Sequence, residues 1–190
     1  RFSQAGENII NLEAKLFFTH RGIEKAVEGL PVADAFYRAE RICGACTVSH
    51  ALAFAQAVEG LAGAAVPARA ESVRVLAAEL ERLYNHVGDI GNLCAGVGFA
   101  VGISHGARLK ERLMRLNERV AGNRFLRGMV VPGGVAMDVT AALAQDIAGV
   151  LHELEGDLKG LLEILHENNA FLDRVNTTGI LSTRAAVGLG

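Results

Sequence analysis

With 190 residues, 51% hydrophobic and 21% charged, the chain carries enough apolar surface for one large domain or two small ones, which excludes a disordered protein. Its 19 basic and 21 acidic residues leave a net charge of −2, so electrostatics gives no reason to expect nucleic acid or an anionic membrane surface as a partner. Three cysteines, an odd number with one close pair, suit a reducing cytoplasm better than a disulfide-stapled secreted domain.

The chain starts at Arg1 without a Met, an apolar h-region or a cleavage signature, and it stops inside the apolar, glycine-rich run Ala185–Gly190. It therefore reads as a piece of a longer protein. Its longest apolar run, Ala51 to Val58, is broken by Gln56 and followed by Glu59. That falls well short of the ~20 residues of a bilayer span, so direct membrane insertion is not expected.

Residues Ile9 to Phe18 alternate imperfectly, with Ile10, Leu12, Ala14, Leu16 and Phe18 set against Asn11, Glu13 and Lys15, which predicts an edge strand or hairpin arm. After Gly22, a short helix carrying Ile23 and Val27 should stop at Gly29-Leu30-Pro31, and Asp34 to Arg41 forms an amphipathic lead-in. Cys46 to Glu59 has helical composition and is expected to end at Gly60. From Glu71, the residues Val73, Leu76, Leu80, Leu83, Val87 and Ile90 recur three and four apart, the spacing of one buried helical stripe. Glu79, Glu81 and Arg82 between them read as a solvated face with charge pairs along the helix. Leu109, Leu113, Leu116 and Val120 repeat the pattern on a basic segment that Gly122 closes. Val130-Val131-Pro132-Gly133-Gly134-Val135 is a turn or a close backbone approach. A third stripe runs from Val139 through Leu143, Ile147, Val150, Leu154, Leu158, Leu161 and Leu165 in near-perfect heptads. The expected fold is mainly α, a bundle of long helices with a short N-terminal β-strand or hairpin. Residues 1–20 form the β element, and residues 21–190 form the bundle, truncated at its C-terminus.

The chemistry concentrates in Arg41-Ile42-Cys43-Gly44-Ala45-Cys46-Thr47-Val48-Ser49-His50. Two cysteines three apart can aim their sulfurs at one ion, and His50 follows Cys46 by one helical turn. A thioredoxin-type dithiol would need a preceding strand in a βαβ unit, which is missing. A zinc site would need a second ligand pair, and His20, His86, His105, His152 and His166 offer none. By spacing alone, a pair of small buried apolar thiols is as good a reading as metal ligation. Cys94 reads as buried and inert, and His86 as a packing or interhelical hydrogen-bonding residue. No Gly-rich phosphate loop is present, so nucleotide binding has no sequence support.

The string Glu40 to His50 resembles the N-terminal metal-binding signature, Arg-x-Cys-Gly-x-Cys-x-x-x-His, of nickel-iron hydrogenase large subunits. The energy-converting branch, typified by formate hydrogenlyase and related to the quinone-site subunit of respiratory complex I, is the best likeness. It is carried also by Gly6-Glu7-Asn8-Ile9, by His20-Arg21-Gly22-Ile23-Glu24-Lys25, and by Pro67 to His86. Arg112 to Arg124 and the Pro132-Gly133-Gly134-Val135 turn complete it.

This resemblance implies an oxidoreductase subunit interconverting H₂ with 2H⁺ and 2e⁻, in which four thiolates hold a nickel-iron centre. Cys43 would be a terminal nickel ligand and Cys46 would bridge nickel and iron. His50 would tune the bridging sulfur, and Arg41, part of the same signature, would add local charge. His20 and Arg21 would lie near the iron-sulfur cluster of a small partner subunit. The second cysteine pair of the family has no counterpart after Cys94, so this piece alone should hold little or no metal and should be inactive. Membrane subunits of an energy-converting complex would be further partners, attaching the protein to the inner, cytoplasmic face of the membrane. The missing portion should leave an exposed apolar patch that permits self-association. The alternative is a complex I-like quinone-site or scaffolding subunit without a complete metal centre.

Overall fold

Two units make up the chain in a computed structural model that describes all 190 residues: Arg1–Arg38 and Ala39–Gly190. In the first, β1 (Phe2–Ala5) and β2 (Asn8–Leu12) form an antiparallel hairpin, with Phe2 opposite Leu12 and Ala5 opposite Asn8. Gly6, at φ 67°, supplies the left-handed residue that its tight turn needs. The alternation to Phe18 predicts a longer strand, but β2 stops at Leu12. One further ladder bond follows, from the Glu13 N–H to the Arg1 carbonyl at 2.9 Å. The short helix α1 (Ile23–Val27) and the lead-in α2 (Val32–Ala39) fall where turn residues and amphipathic spacing place them.

The second unit is the expected helical bundle: α3 (Thr47–Ala62), α4 (Ala68–Gly96), α5 (Ala100–Ala121) and α6 (Ala141–Glu167), followed by α7 (Asn169–Val175) and α8 (Thr183–Leu189). A two-residue hairpin, β3 (Val130–Val131) with β4 (Gly134–Val135), forms at the Pro-Gly-Gly turn. Helix α3 runs two residues past the expected stop, through Gly60, and ends where Gly63 at φ 62° donates its N–H to the Glu59 carbonyl. Helix α4 starts at Ala68 rather than Glu71, because Pro67 presets a helix start without losing a needed N–H.

Helix α4 packs against α3, α5 and β4, and α5 packs in turn against α6. The core between them is Tyr84, Val87, Cys94, Leu109, Leu113, Met114, Leu154, Leu161 and Leu165. On α6 the buried residues Ile147, Leu154 and Leu161 are seven apart, the narrow seam that a heptad pattern predicts. Thr140 caps this helix by accepting the Leu143 N–H at 3.2 Å. Thr140→Ala should cost about 1 kcal/mol, read as a lower urea midpoint with an unchanged m value. Leu61, Val75 and Leu93 stand exposed on the bundle. No helix is long and apolar enough to cross a membrane.

Candidate metal centre

The cysteine segment is held at both ends before chemistry enters. Glu40, buried just past α2, accepts the Gly128 N–H at 2.6 Å, and exposed Arg41 lies 3.7 Å from the same carboxylate. Residues 42–45 bend, and Cys46 occupies the N-cap position of α3, where its carbonyl accepts the His50 N–H at 3.3 Å. Cys43 folds back within this bend, its sulfur accepting the Ala45 N–H at 3.4 Å. Both thiols therefore sit in one short bend leading into α3, joined by the two-residue link Gly44-Ala45.

One turn of α4 fixes the segment from the side. The Glu81 carboxylate accepts the Val48 N–H at 2.5 Å, the Ser49 N–H at 2.9 Å and the Ser49 hydroxyl at 2.5 Å. Tyr84 donates its hydroxyl, and Asn85 its side-chain N–H at 2.9 Å, to the Ala45 carbonyl between the cysteines. The solvated-face reading of Glu81 is therefore corrected: only 2% of the residue is exposed, because α4 buries one side against α5 and another against α3. His86 is corrected in the opposite sense, since it stands exposed rather than packed between helices. Cys94 is fully buried, with its thiol pushed up by desolvation, as an inert core cysteine should be.

Electrostatics splits the pair. Cys43 is held below the ordinary thiol value, chiefly by the hydrogen bond with Cys46 and then by the Ala45 amide. Cys46 is pushed up to about 12 by burial first, then by its bond to Cys43 and the negative charge of Cys43 and Glu81. Tyr84 is raised in the same way, by burial and then by the charges of Glu81 and the thiols. Deprotonating both sulfurs here would need a nearby cation to offset their mutual repulsion and that of Glu81. The donor set offers two soft sulfurs and no cluster of three or more His, Cys, Asp or Glu side chains able to hold an ion. It suits half of a four-thiolate centre and not a closed site of its own.

His50 is half-buried one turn into α3, and Arg41 is exposed at the mouth of the loop. His20 and Arg21 belong to the Arg1–Arg38 unit and are exposed; His20 accepts the Gly22 N–H at 3.2 Å and lies 3.7 Å from Glu24. The residues that sequence reasoning missed are Glu81, Tyr84 and Asn85. Their signal was a second stripe on α4, Ala77, Glu81, Tyr84, Gly88 and Gly91, running beside the leucine stripe at helical spacing.

Residues 96–190, half of the chain, match the family described as the 49 kDa subunit of respiratory-chain NADH dehydrogenase, and residues 21–95 match the nickel-dependent hydrogenase family. The chain belongs to the family of the 49 kDa subunit of respiratory-chain NADH dehydrogenase. Hydrogenase-4 component G of Escherichia coli (strain K12) is 31% identical over 95% of this chain and 33% of its own length. An NADH-quinone oxidoreductase subunit of Rickettsia typhi is 31% identical over 97% of this chain and 48% of its own. The fold matches a chain of the membrane-bound sulfane sulfur reductase, an archaeal respiratory membrane complex, with a TM-score of 0.88 at 26% identity, covering 96% of this chain and 49% of that one. The chain thus spans less than half the length of the relatives it matches.

Proposed function

We propose that this chain is the cysteine-bearing helical part of a nickel-iron hydrogenase-type large subunit. The observation that carries the reading is that Cys43 and Cys46 share one short bend at the start of α3, inside the stretch that matches nickel-dependent hydrogenases. Cys43 and Cys46 would supply two of the thiolates for a nickel-iron centre, which when bound supplies reversible cleavage of H₂ to 2H⁺ and 2e⁻. His50 would hydrogen-bond near the Cys46 sulfur, and exposed Arg41 would keep the mouth of the site positive. His20 and Arg21 would face an iron-sulfur small subunit that takes the electrons. Membrane subunits would hold the assembly at the inner face of the membrane, as the membrane-bound complex with the matching fold suggests.

The match of residues 96–190 to the NADH dehydrogenase subunit favours a second reading, a quinone-site or scaffolding subunit. Elemental analysis separates the two. The full-length subunit matured with its partners should contain nickel, and Cys43→Ser or Cys46→Ser should reduce it to background. The 190-residue chain by itself, with two thiols instead of four, should hold none in stoichiometric amount. A full-length protein free of nickel would leave the quinone-site reading in its place, and variants that keep the wild-type content would remove Cys43 and Cys46 from the metal site.

A further inference from the structure

We propose that Glu81 is a positioning residue for the thiol pair: by capping α3 from the neighbouring helix, it sets how closely Cys46 is presented to Cys43. The inference deepens the reading of Cys43 and Cys46 as thiols that share one soft centre, and it rests on that reading.

A helix needs its first N–H groups satisfied, and the residue at the N-cap ordinarily does this through a Ser, Thr, Asp or Asn oxygen. Here the N-cap is Cys46, whose side chain makes no capping hydrogen bond. A position committed to a sulfur ligand cannot also supply the cap. Glu81 supplies it instead from 33 residues away, taking both the Val48 and the Ser49 N–H and adding the Ser49 hydroxyl. These three bonds fix the axis and rotation of the first turn, and with them the direction in which Cys46 leaves it.

The other half of the clamp sits three and four residues further along the same helix. Tyr84 and Asn85 both donate to the Ala45 carbonyl, in the two-residue link between the thiols. Tyr84 is fully buried and its ring meets Phe125 edge-on at 6.2 Å, so the donor is immobile. One turn of α4 therefore holds the link and the following helix as a single piece. Glu79 and Arg82, on the exposed side of that turn, bond only to each other and touch neither.

The test measures the spacing of the sulfurs directly, with no nickel involved. Phenylarsine oxide condenses with two thiols, forming two As–S bonds and releasing one water, and it resists a competing monothiol only when both sulfurs reach the same arsenic. Cys43 and Cys46 are partly exposed and can react, whereas Cys94 is buried and stays out. Glu81→Ala should weaken capture of the arsenical, in competition with mercaptoethanol, by about tenfold or more, since the second thiol loses effective concentration. Glu81→Gln, which keeps an acceptor oxygen, should recover most of that loss, and Glu79→Ala should match wild type.

Ile147→Ala, at a buried α6 residue outside the core cluster that holds Tyr84, should lower the melting temperature without disturbing the clamp. Below its melting point this variant should capture the arsenical as wild type does, which separates positioning from general loosening. If Glu81→Ala does not fold, Glu81→Asp, whose carboxylate falls one methylene short of Val48 and Ser49, decides against Ile147→Ala, because only the former should slip at equal stability. Wild-type capture by Glu81→Ala, or equal loss in Ile147→Ala, would overturn the proposal. Absence of nickel from the full-length subunit would instead sink the hydrogenase reading and leave the arsenical result standing.

Discussion

Arg74→Ala should cost the fold about 3–5 kcal/mol, the largest loss expected from any single charged residue of the chain. Arg74 and Glu59 are 4% and 7% exposed, and they meet in a two-pronged pair at 2.5 and 3.1 Å between α4 and α3. The same guanidinium donates to the Gly134 carbonyl at 3.0 Å and the Val131 carbonyl at 2.7 Å, while Glu59 also accepts the Gly133 N–H at 2.7 Å. Two helices and the β3–β4 hairpin are thus tied at one point. Truncating Arg74 leaves a buried carboxylate without its cation and two carbonyls without donors, and each of those penalties acts in the same direction.

The pH dependence sharpens this expectation. Glu59 is held below its ordinary value, first by the Arg74 hydrogen bonds and also by the Gly133 amide, against burial. A depressed carboxylate contributes stability that is present above the unfolded value of about 4.3 and disappears as pH falls through the folded one. Without Arg74, burial is unopposed by a cation and raises Glu59 instead, so that variant should gain stability relative to wild type as pH falls from 7 toward 4. Urea midpoints across that range measure it. A loss below about 1 kcal/mol at pH 7 would mean the pair behaves as a surface ion pair despite its burial.

How far the sequence could be read depended on whether a helix buries one side or two. Helix α6 buries one stripe, and Ile147, Leu154 and Leu161 lie in the core where their spacing put them; α5, covered by α4 and α6, buries Leu109, Leu113 and Leu116 as expected and Met114 and Asn117 besides. Helix α4 is covered on two sides, so its second buried stripe holds Arg74, Glu81 and Tyr84, residue types that a single-stripe reading assigns to water. The cysteine motif was legible because both thiols and His50 lie within eight residues of chain. Its supports were not, because Glu81, Tyr84 and Asn85 approach from 32 to 40 residues away, and no local pattern encodes that distance. The hairpin at the N-terminus was legible as a β signal but not in length, since the alternation continues to Phe18 while β2 stops at Leu12.

Gly106→Ala should destabilise the bundle by about 2 kcal/mol or more, even though alanine is the better helix former by about 1 kcal/mol. At this crossing of α4 and α5, a Cβ on Gly106 would lie 2.6 Å from the Gly91 Cα and 3.0 Å from the Gly91 nitrogen. Backbone cannot turn aside as a side chain can, so the two helices must part along their length. The loss would spread to Val87, Leu109 and Leu113, which pack in the core that these helices share. Gly88 offers the contrast, because its added methyl would meet only the Lys110 side chain, at 3.0 to 3.3 Å, and that chain can move. Gly149 on α6 has nothing within 4 Å, so Gly149→Ala should stabilise by up to about 1 kcal/mol. Opposite signs for one chemical change at two helical glycines test the interhelical approach itself, through urea midpoints compared at constant m. Equal stability of the two variants would mean that α4 and α5 stand further apart than their glycines allow, and the α4 turn that carries Glu81, Tyr84 and Asn85 would then lack the rigid backing that α5 gives it.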